Sequence, residues 1–152
     1  MSYSLVVKAV AVDYPELITV WEASVRATHH FLTETDIQAY KKLISGEYFA
    51  SLDLYFIRET GRITAFIGVD NELLQMLFID PEWRGRGVGK FLLQYATENL
   101  GITAVDVNEQ NEQAVGFYYH MGFQPVERFE GDAAGKPYPI IAMELKKSKC
   151  VK

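Results

Sequence analysis

The 152-residue sequence predicts an α+β layer structure in one domain, and three observations carry that expectation. Helical periodicities alternate with short strand-like runs along the whole chain. The run Leu73 to Ile79 is nearly continuous in apolar residues, the mark of a strand covered on both faces and therefore central in its sheet. Directly after it, Arg84-Gly85-Arg86-Gly87-Val88-Gly89-Lys90 gathers three glycines and three cations where a strand gives way to a helix.

Each element has its own local reason. Leu5 to Val12 reads as a strand. Tyr14 to His30 reads as a helix capped by Asp13, with Pro15 in its first turn and Leu17, Ile18, Trp21, Val25 and Thr28 at helical spacing. A second helix runs from about Glu34 to Phe49, capped by Thr33 and loosening near Gly46. Leu52 to Glu59 and Ile63 to Val69 form a hairpin through Thr60-Gly61-Arg62, and Asp70-Asn71 turns the chain into the central strand. The helix after the glycines sets Val88, Phe91, Leu92, Tyr95 and Ala96 on one side and stops at Gly101. Ile102 to Asn108 is a strand, and Asn111 caps a short helix that Gly122 ends. Strands near Gln124 to Glu130 and Ile140 to Leu145 close the order.

A chain of this length buries roughly 70% of its unfolded surface. With 49% hydrophobic and 23% charged residues it has the balance of a soluble globular protein. The net charge of −5 argues against a basic nucleic-acid surface and makes Arg84, Arg86 and Lys90 a local exception. The lone cysteine, Cys150, excludes an intrachain disulfide. No run approaches the ~20 apolar residues of a membrane span and no signal peptide is visible, so the expectation is a cytoplasmic protein with no membrane partner. The domain spans 1–146, and 147–152 is a short basic tail containing Lys147, Lys149 and Lys152. No His/Cys/Asp cluster has metal-ligand spacing.

Glycines at a strand-to-helix junction let consecutive backbone N–H groups converge, and the new helix adds unpaired donors and the positive end of its dipole. Such a cradle suits phosphate. It is not a Walker A loop, because Gly89-Lys90 is followed by Phe91 instead of Ser or Thr. A dinucleotide fingerprint fails too, since Leu92 stands at the third glycine position.

The pattern that fits is R-x-x-G-x-G after an apolar strand and Asp80-Pro81. Over Leu77 to Gly89 the chain resembles the GNAT superfamily of acetyl-CoA-dependent N-acetyltransferases. A second segment, Asn108 and Asn111 followed by Ala114, Phe117-Tyr118 and Gly122-Phe123, resembles that family's downstream element. The stretches Ala27 to Leu32, Asn108 to Ala114 and Gly135 to Pro139 are similar to a bacterial subgroup of the YjaB type. The resemblance implies a mixed, mostly antiparallel sheet of about seven strands flanked by about four helices, in the order strand, two helices, three strands, helix, strand, helix, two strands. It further implies that backbone groups of Arg84, Gly85, Arg86, Gly87, Val88, Gly89 and Lys90 hold the CoA diphosphate. Leu77, Phe78 and Ile79 would offer main-chain groups to the pantetheine arm along a bulged, splayed strand, with Asn111 assisting.

The same resemblance places Tyr118 as proton donor to the leaving thiolate. A phenol of pKa about 10 is protonated at neutral pH and can hydrogen-bond a sulfur on which charge develops. Without the surrounding motif Tyr118 would read as an apolar-face aromatic. The acceptor amine, with a pKa of about 10.4, is only roughly 0.04% neutral at pH 7, so a base or water relay is needed. Glu72, in the turn before the central strand, and His29 are the candidates, with a water held by Asp106 and Asn108, which alternate onto one face of their strand, as a further route. Gln75, the only polar residue within that strand, is no base. His29, His30, Asn108 and Tyr138 are candidate acceptor-site residues; for His29 and His30 a capping or solvent-facing place is the commoner outcome, and Tyr138 reads equally as a simple turn. Trp21 and Trp83 read as packing residues.

The function expected is acetyl transfer from acetyl-CoA to a primary amine of a small molecule or peptide, in a ternary complex and without a metal. Cys150, in the tail, disfavours a covalent thiol route. The alternatives are an acyl-CoA-binding sensor or docking domain without turnover, and a transferase for longer acyl groups or oxygen acceptors. Dimers are common in the family, making a homodimer a candidate state.

Overall fold

The computed structural model describes residues 5–146. The tail at 147–152, with Cys150, lies outside the described residues. Seven strands form one sheet: β1 (Val7–Lys8), β2 (Asp53–Glu59), β3 (Arg62–Asp70), β4 (Leu73–Ile79), β5 (Ala104–Asn108), β6 (Phe123–Phe129) and β7 (Ile140–Leu145). Their spatial order is β1-β2-β3-β4-β5-β7-β6, antiparallel throughout except for the β4–β5 pair. The helices are α1 (Tyr14–Thr28), α2 (Glu34–Leu43), the single turn α3 (Phe49–Ser51), α4 (Val88–Asn99) and α5 (Glu112–His120). The expected class and element order stand.

Three local expectations are corrected. The first strand shrinks to Val7–Lys8, because the chain then enters a 3₁₀ turn, Ala11–Asp13. Asp13 has helical dihedrals and makes no cap bond to α1; its carboxylate accepts from the Val10 amide at 2.9 Å. The second helix is broken near Gly46 by a π-helical turn, Ile44–Tyr48, which divides it into α2 and α3. Thr33 caps α2 as expected, its hydroxyl accepting from the Asp36 amide at 3.0 Å. The hairpin turn between β2 and β3 carries positive φ at both Thr60 (53°) and Gly61 (83°), the pairing that matches the twist of antiparallel strands.

Two apolar cores sandwich the sheet. One packs α4 and α5 (Leu92, Leu93, Ala96, Tyr118) on Ile67, Leu74, Val105 and Met143. The other packs α1 to α3 (Leu17, Trp21, Val25, Ile37, Phe49) on Phe56, Phe66 and Met76. On β3, residues Ile63 to Val69 are all buried, because both layers bear on it.

The central strand departs from the expectation that both its faces are fully covered. Gly68 pairs with Met76 and Val69 with Leu74, leaving Gln75 as the extra residue of a β-bulge. Pairing to β5 is confined to Leu73↔Ala104 and Leu74↔Val105. Beyond the bulge β4 and β5 diverge, so Leu77, Phe78 and Ile79 are only half-buried. This is the splay that the family resemblance implied and the sequence itself did not reveal.

Candidate active site

The divergence of β4 and β5 opens a cleft of about 800 Å³ that crosses the sheet. Its walls include Leu77, Phe78 and Ile79 from β4 and Asp106, Val107 and Asn108 from β5. One end is closed by the glycine loop and α4, the other by α1, α2 and the β6–β7 loop.

Asp80 delivers the loop. Its carboxylate caps the 3₁₀ turn Pro81–Trp83 by accepting from the Glu82 amide (2.9 Å), and it pairs with Arg62 (2.7 Å). Its backbone N–H donates to the Thr64 carbonyl on β3. The chain then passes Gly85 (φ 76°) and Gly87 (φ 82°), left-handed conformations that favour glycine, and Gly87 is the N-cap of α4. Gly89 is required for closeness instead: a Cβ there would stand 3.2 Å from Ile79 Cδ1 and 3.7 Å from Phe117. Among the described residues, no backbone N–H from Gly85 to Lys90 donates to a protein acceptor. These donors, at a helix start beside space left open at Gly85 and Gly87, fit a diphosphate. The cations sit around them: Arg84 donates to Gln113 on the α5 side, and Arg86 lies 4.5 Å over the ring of Trp83. Trp83 is therefore a cleft-side platform and not a core residue, whereas Trp21 is buried as expected.

Asn111 caps α5, its Oδ1 accepting from the Ala114 amide at 3.3 Å, while its side chain borders the cleft. Two turns on, Tyr118 is 6% exposed, packed edge-on against Phe123 and tilted against Phe117. Its hydroxyl has no protein partner among the described residues, yet it is not sealed from solvent, and the residue lines the cleft. Burial raises its pKa above that of an ordinary phenol. The group is an uncommitted, protonated donor.

At the opposite end, His29 follows the last turn of α1 and lines the cleft between Phe31 and Phe78, at ring separations of 5.4 and 6.4 Å. Burial, with a smaller contribution from the charge of His30, lowers its pKa to about 4, so the ring is neutral at physiological pH. Trp21, Tyr40, Ile44 and Tyr48 form the surrounding wall. The β6–β7 loop seals it: Tyr40 donates to Asp132, whose other oxygen accepts from the Ala134 (3.0 Å) and Lys136 (2.9 Å) amides. Asp106 opens on the cleft, and desolvation raises its carboxyl above the ordinary range.

Other expected site residues stand apart. Glu72 is an exposed turn residue at the paired end of β4, its carboxylate accepting from the Thr103 hydroxyl at 3.2 Å. The splay opens at the other end of the strand, and Glu72 is not part of the cleft wall. His30 is exposed and outside the cleft wall. Tyr138 also lies outside it; its phenol donates to Asp36 and its ring packs on Phe31 at 5.6 Å, so it braces the wall from behind. Asn108 does line the cleft, with Oδ1 accepting from the Gln110 amide. The structure adds Tyr40, Asp132 and Gln113. Tyr40 and Asp132 lie far apart along the chain and meet only through the fold.

Residues 50–125 match the Acetyltransferase (GNAT) domain family. The chain is 39% identical over 127 residues to the peptidyl-lysine N-acetyltransferase YjaB of Salmonella typhimurium, covering 83% of this chain and 87% of that protein. The solution structure of apo-form YjaB from Escherichia coli superposes with a TM-score of 0.85 at 34% identity, over 97% of this chain and 100% of that one. The fold is shared with the PaiA N-acetyltransferase of Thermoplasma acidophilum, crystallised in complex with coenzyme A (TM-score 0.73, 21% identity, 95% and 99% covered).

Proposed function

The chain belongs to the GNAT acetyltransferase family and is an acetyl-CoA-dependent N-acetyltransferase, and on that premise we propose that it acetylates the side-chain amine of lysine in peptides or proteins by direct attack in a ternary complex. The observation that carries this reading is a single cleft joining the unpaired amides of Gly85 to Lys90, the phenol of Tyr118 and the neutral imidazole of His29. The peptidyl-lysine activity of a relative 39% identical supports the acceptor class.

Acetyl-CoA bound in the cleft would supply an activated acyl thioester. The amides from Gly85 to Lys90 hold its diphosphate, with Arg84 and Arg86 adding charge at the rim and Val88 fixing the first helical turn. The main-chain groups of Leu77, Phe78 and Ile79 that face the splay are left without β5 partners and receive the pantetheine arm, and Asn111 adds a polar contact. Trp21, Tyr40 and Tyr48 give an aromatic passage suited to the apolar stem of a lysine.

As the N–C bond forms and the C–S bond breaks, positive charge builds on nitrogen and negative charge on sulfur. His29 accepts the nitrogen's proton, a task for a neutral ring with a free lone pair. An imidazole of pKa about 4 is a weak match for a free alkylammonium, so the amine gives its first proton to solvent and attacks in its neutral form. His29 takes the second proton, from the nitrogen already bonding to carbon. Tyr118 donates toward the sulfur, its raised pKa keeping the proton available.

The test is incubation with acetyl-CoA and lysine-containing peptides, following thiol release and the acetyl mass shift on lysine. Acetylated lysine with stoichiometric thiol supports the reading. Tight CoA binding with no turnover on lysine peptides, free amines or N-terminal amines would replace it with an acyl-CoA sensor.

A further inference from the structure

The last turn of α1 contains a hydrogen-bond chain that sets the chemistry of His29. Thr28 Oγ1 lies 2.8 Å from the carbonyl oxygen of Ser24 and 2.7 Å from Nδ1 of His29. A threonine hydroxyl has one hydrogen, and a carbonyl oxygen only accepts. The hydrogen is therefore committed to Ser24, one helical turn back, an arrangement common for threonine in helices. What remains at Oγ1 is a lone pair facing Nδ1, so Nδ1 must carry the hydrogen and donate. Nε2 is then the unprotonated nitrogen.

The surroundings say where that lone pair goes. Among the described residues no group hydrogen-bonds Nε2, and the atom is not sealed from solvent, although the residue is largely buried between Phe31 and Phe78. The cleft is the space that His29 lines. The charged or titratable neighbour that bears on the ring is His30, at the same helix end; β4 presents Phe78 and the loop after α1 presents Phe31, which do not titrate.

We infer that Thr28 is a positioning residue: its hydroxyl, held by the Ser24 carbonyl, fixes His29 in the Nδ1–H tautomer and so presents the Nε2 lone pair to the acceptor end of the cleft. The functional part of this inference rests on the reading of His29 as proton acceptor. When Nε2 takes a proton, the Thr28 lone pair also stabilises the hydrogen that Nδ1 already carries. A side chain of the same shape without the hydroxyl would leave Nδ1 with no acceptor, and the ring free to place its hydrogen on Nε2.

The experiment is two-bond proton–nitrogen NMR of histidine-labelled full-length protein, with steady-state kinetics on a lysine peptide, for wild type, Thr28→Val and Thr28→Ser. In wild type and Thr28→Ser, His29 should show a protonated Nδ1 and an unprotonated Nε2. In Thr28→Val the pattern should move toward Nε2–H, with kcat/KM for the peptide down tenfold or more and KM for acetyl-CoA unchanged. Thr28→Ser should retain at least half of the wild-type rate. A wild-type spectrum with Nε2 protonated overturns the inference by itself, whether or not the valine variant folds. A tautomer shift in Thr28→Val with an unaltered rate would instead sink His29 as the proton acceptor.

Discussion

The phenol of Tyr40, on α2, donates to the carboxylate of Asp132, on the β6–β7 loop, joining positions 92 residues apart in the chain. A second phenol–carboxylate pair runs the other way, from Tyr138 on the loop to Asp36 on the helix. Lys136 adds an ion pair with Asp36 at 3.4 Å. Together these contacts fasten the loop to the helical layer at the His29 end of the cleft, while the glycine-loop end is built from β4, α4 and α5. On the proposed reading, acceptor and cofactor binding are thus held by different parts of the chain.

Tyr40→Phe should therefore raise KM for a lysine peptide several-fold and leave the Kd for CoA within twofold. Loss of a hydrogen bond to a partly exposed carboxylate also predicts about 1–2 kcal/mol less stability in denaturant unfolding. An equal change in both binding constants would show that the two ends are not independent.

Gly87→Asp should abolish measurable CoA binding by calorimetry. The φ of 82° is strained for aspartate, and the new carboxylate would stand at the N-terminus of α4 beside the unpaired amides. Gly87→Ala separates the two effects. It keeps the strain without the charge and should weaken binding less.

His29 makes the fold acid-sensitive. Unfolded, its ring binds a proton below about pH 6.5; folded, it refuses one until about pH 4. Between these values the unfolded chain holds the extra proton, so stability falls as pH falls through that window, by up to about 3 kcal/mol. Denaturant midpoints of wild type and His29→Gln between pH 7 and pH 4 test this. The wild type should lose stability more steeply, and parallel curves would remove His29 as the source.

Legibility in the sequence followed the range of the interaction. Periodicity, caps and positive-φ glycines act within a few residues, so Leu73–Ile79, the Thr33 and Asn111 caps and the Gly87 junction could all be read from neighbouring letters. The Gln75 bulge could not, because it is a register difference between β3 and β4 that no single strand displays. Glu72 illustrates the consequence. It stands next to the central strand along the chain, yet the bulge and splay open the cleft some residues further on. Asp13 failed for a local reason, since its carboxylate found the Val10 amide before any amide of α1. Tyr40 and Asp132, which meet only through the tertiary fold, carried no signal at all.

Tyr118→Phe isolates the step at sulfur. The hydroxyl makes no hydrogen bond within the described residues, and the ring is held by Phe117 and Phe123, so removing the oxygen should leave packing and CoA affinity nearly intact. On the proposed mechanism, what is lost is a donor aimed at charge that exists only as the C–S bond breaks, a difference felt in kcat. A fall of tenfold or more is expected, at saturating acetyl-CoA and lysine peptide. Because burial raises the phenol's pKa, wild-type kcat should show no alkaline decline from Tyr118 below pH 10. Thioesters with better leaving groups supply the sharper measurement. If Tyr118 assists departure of sulfur, the phenylalanine variant should recover more of its deficit as the thiol becomes more acidic, whereas a purely structural role predicts the same deficit for every thiol.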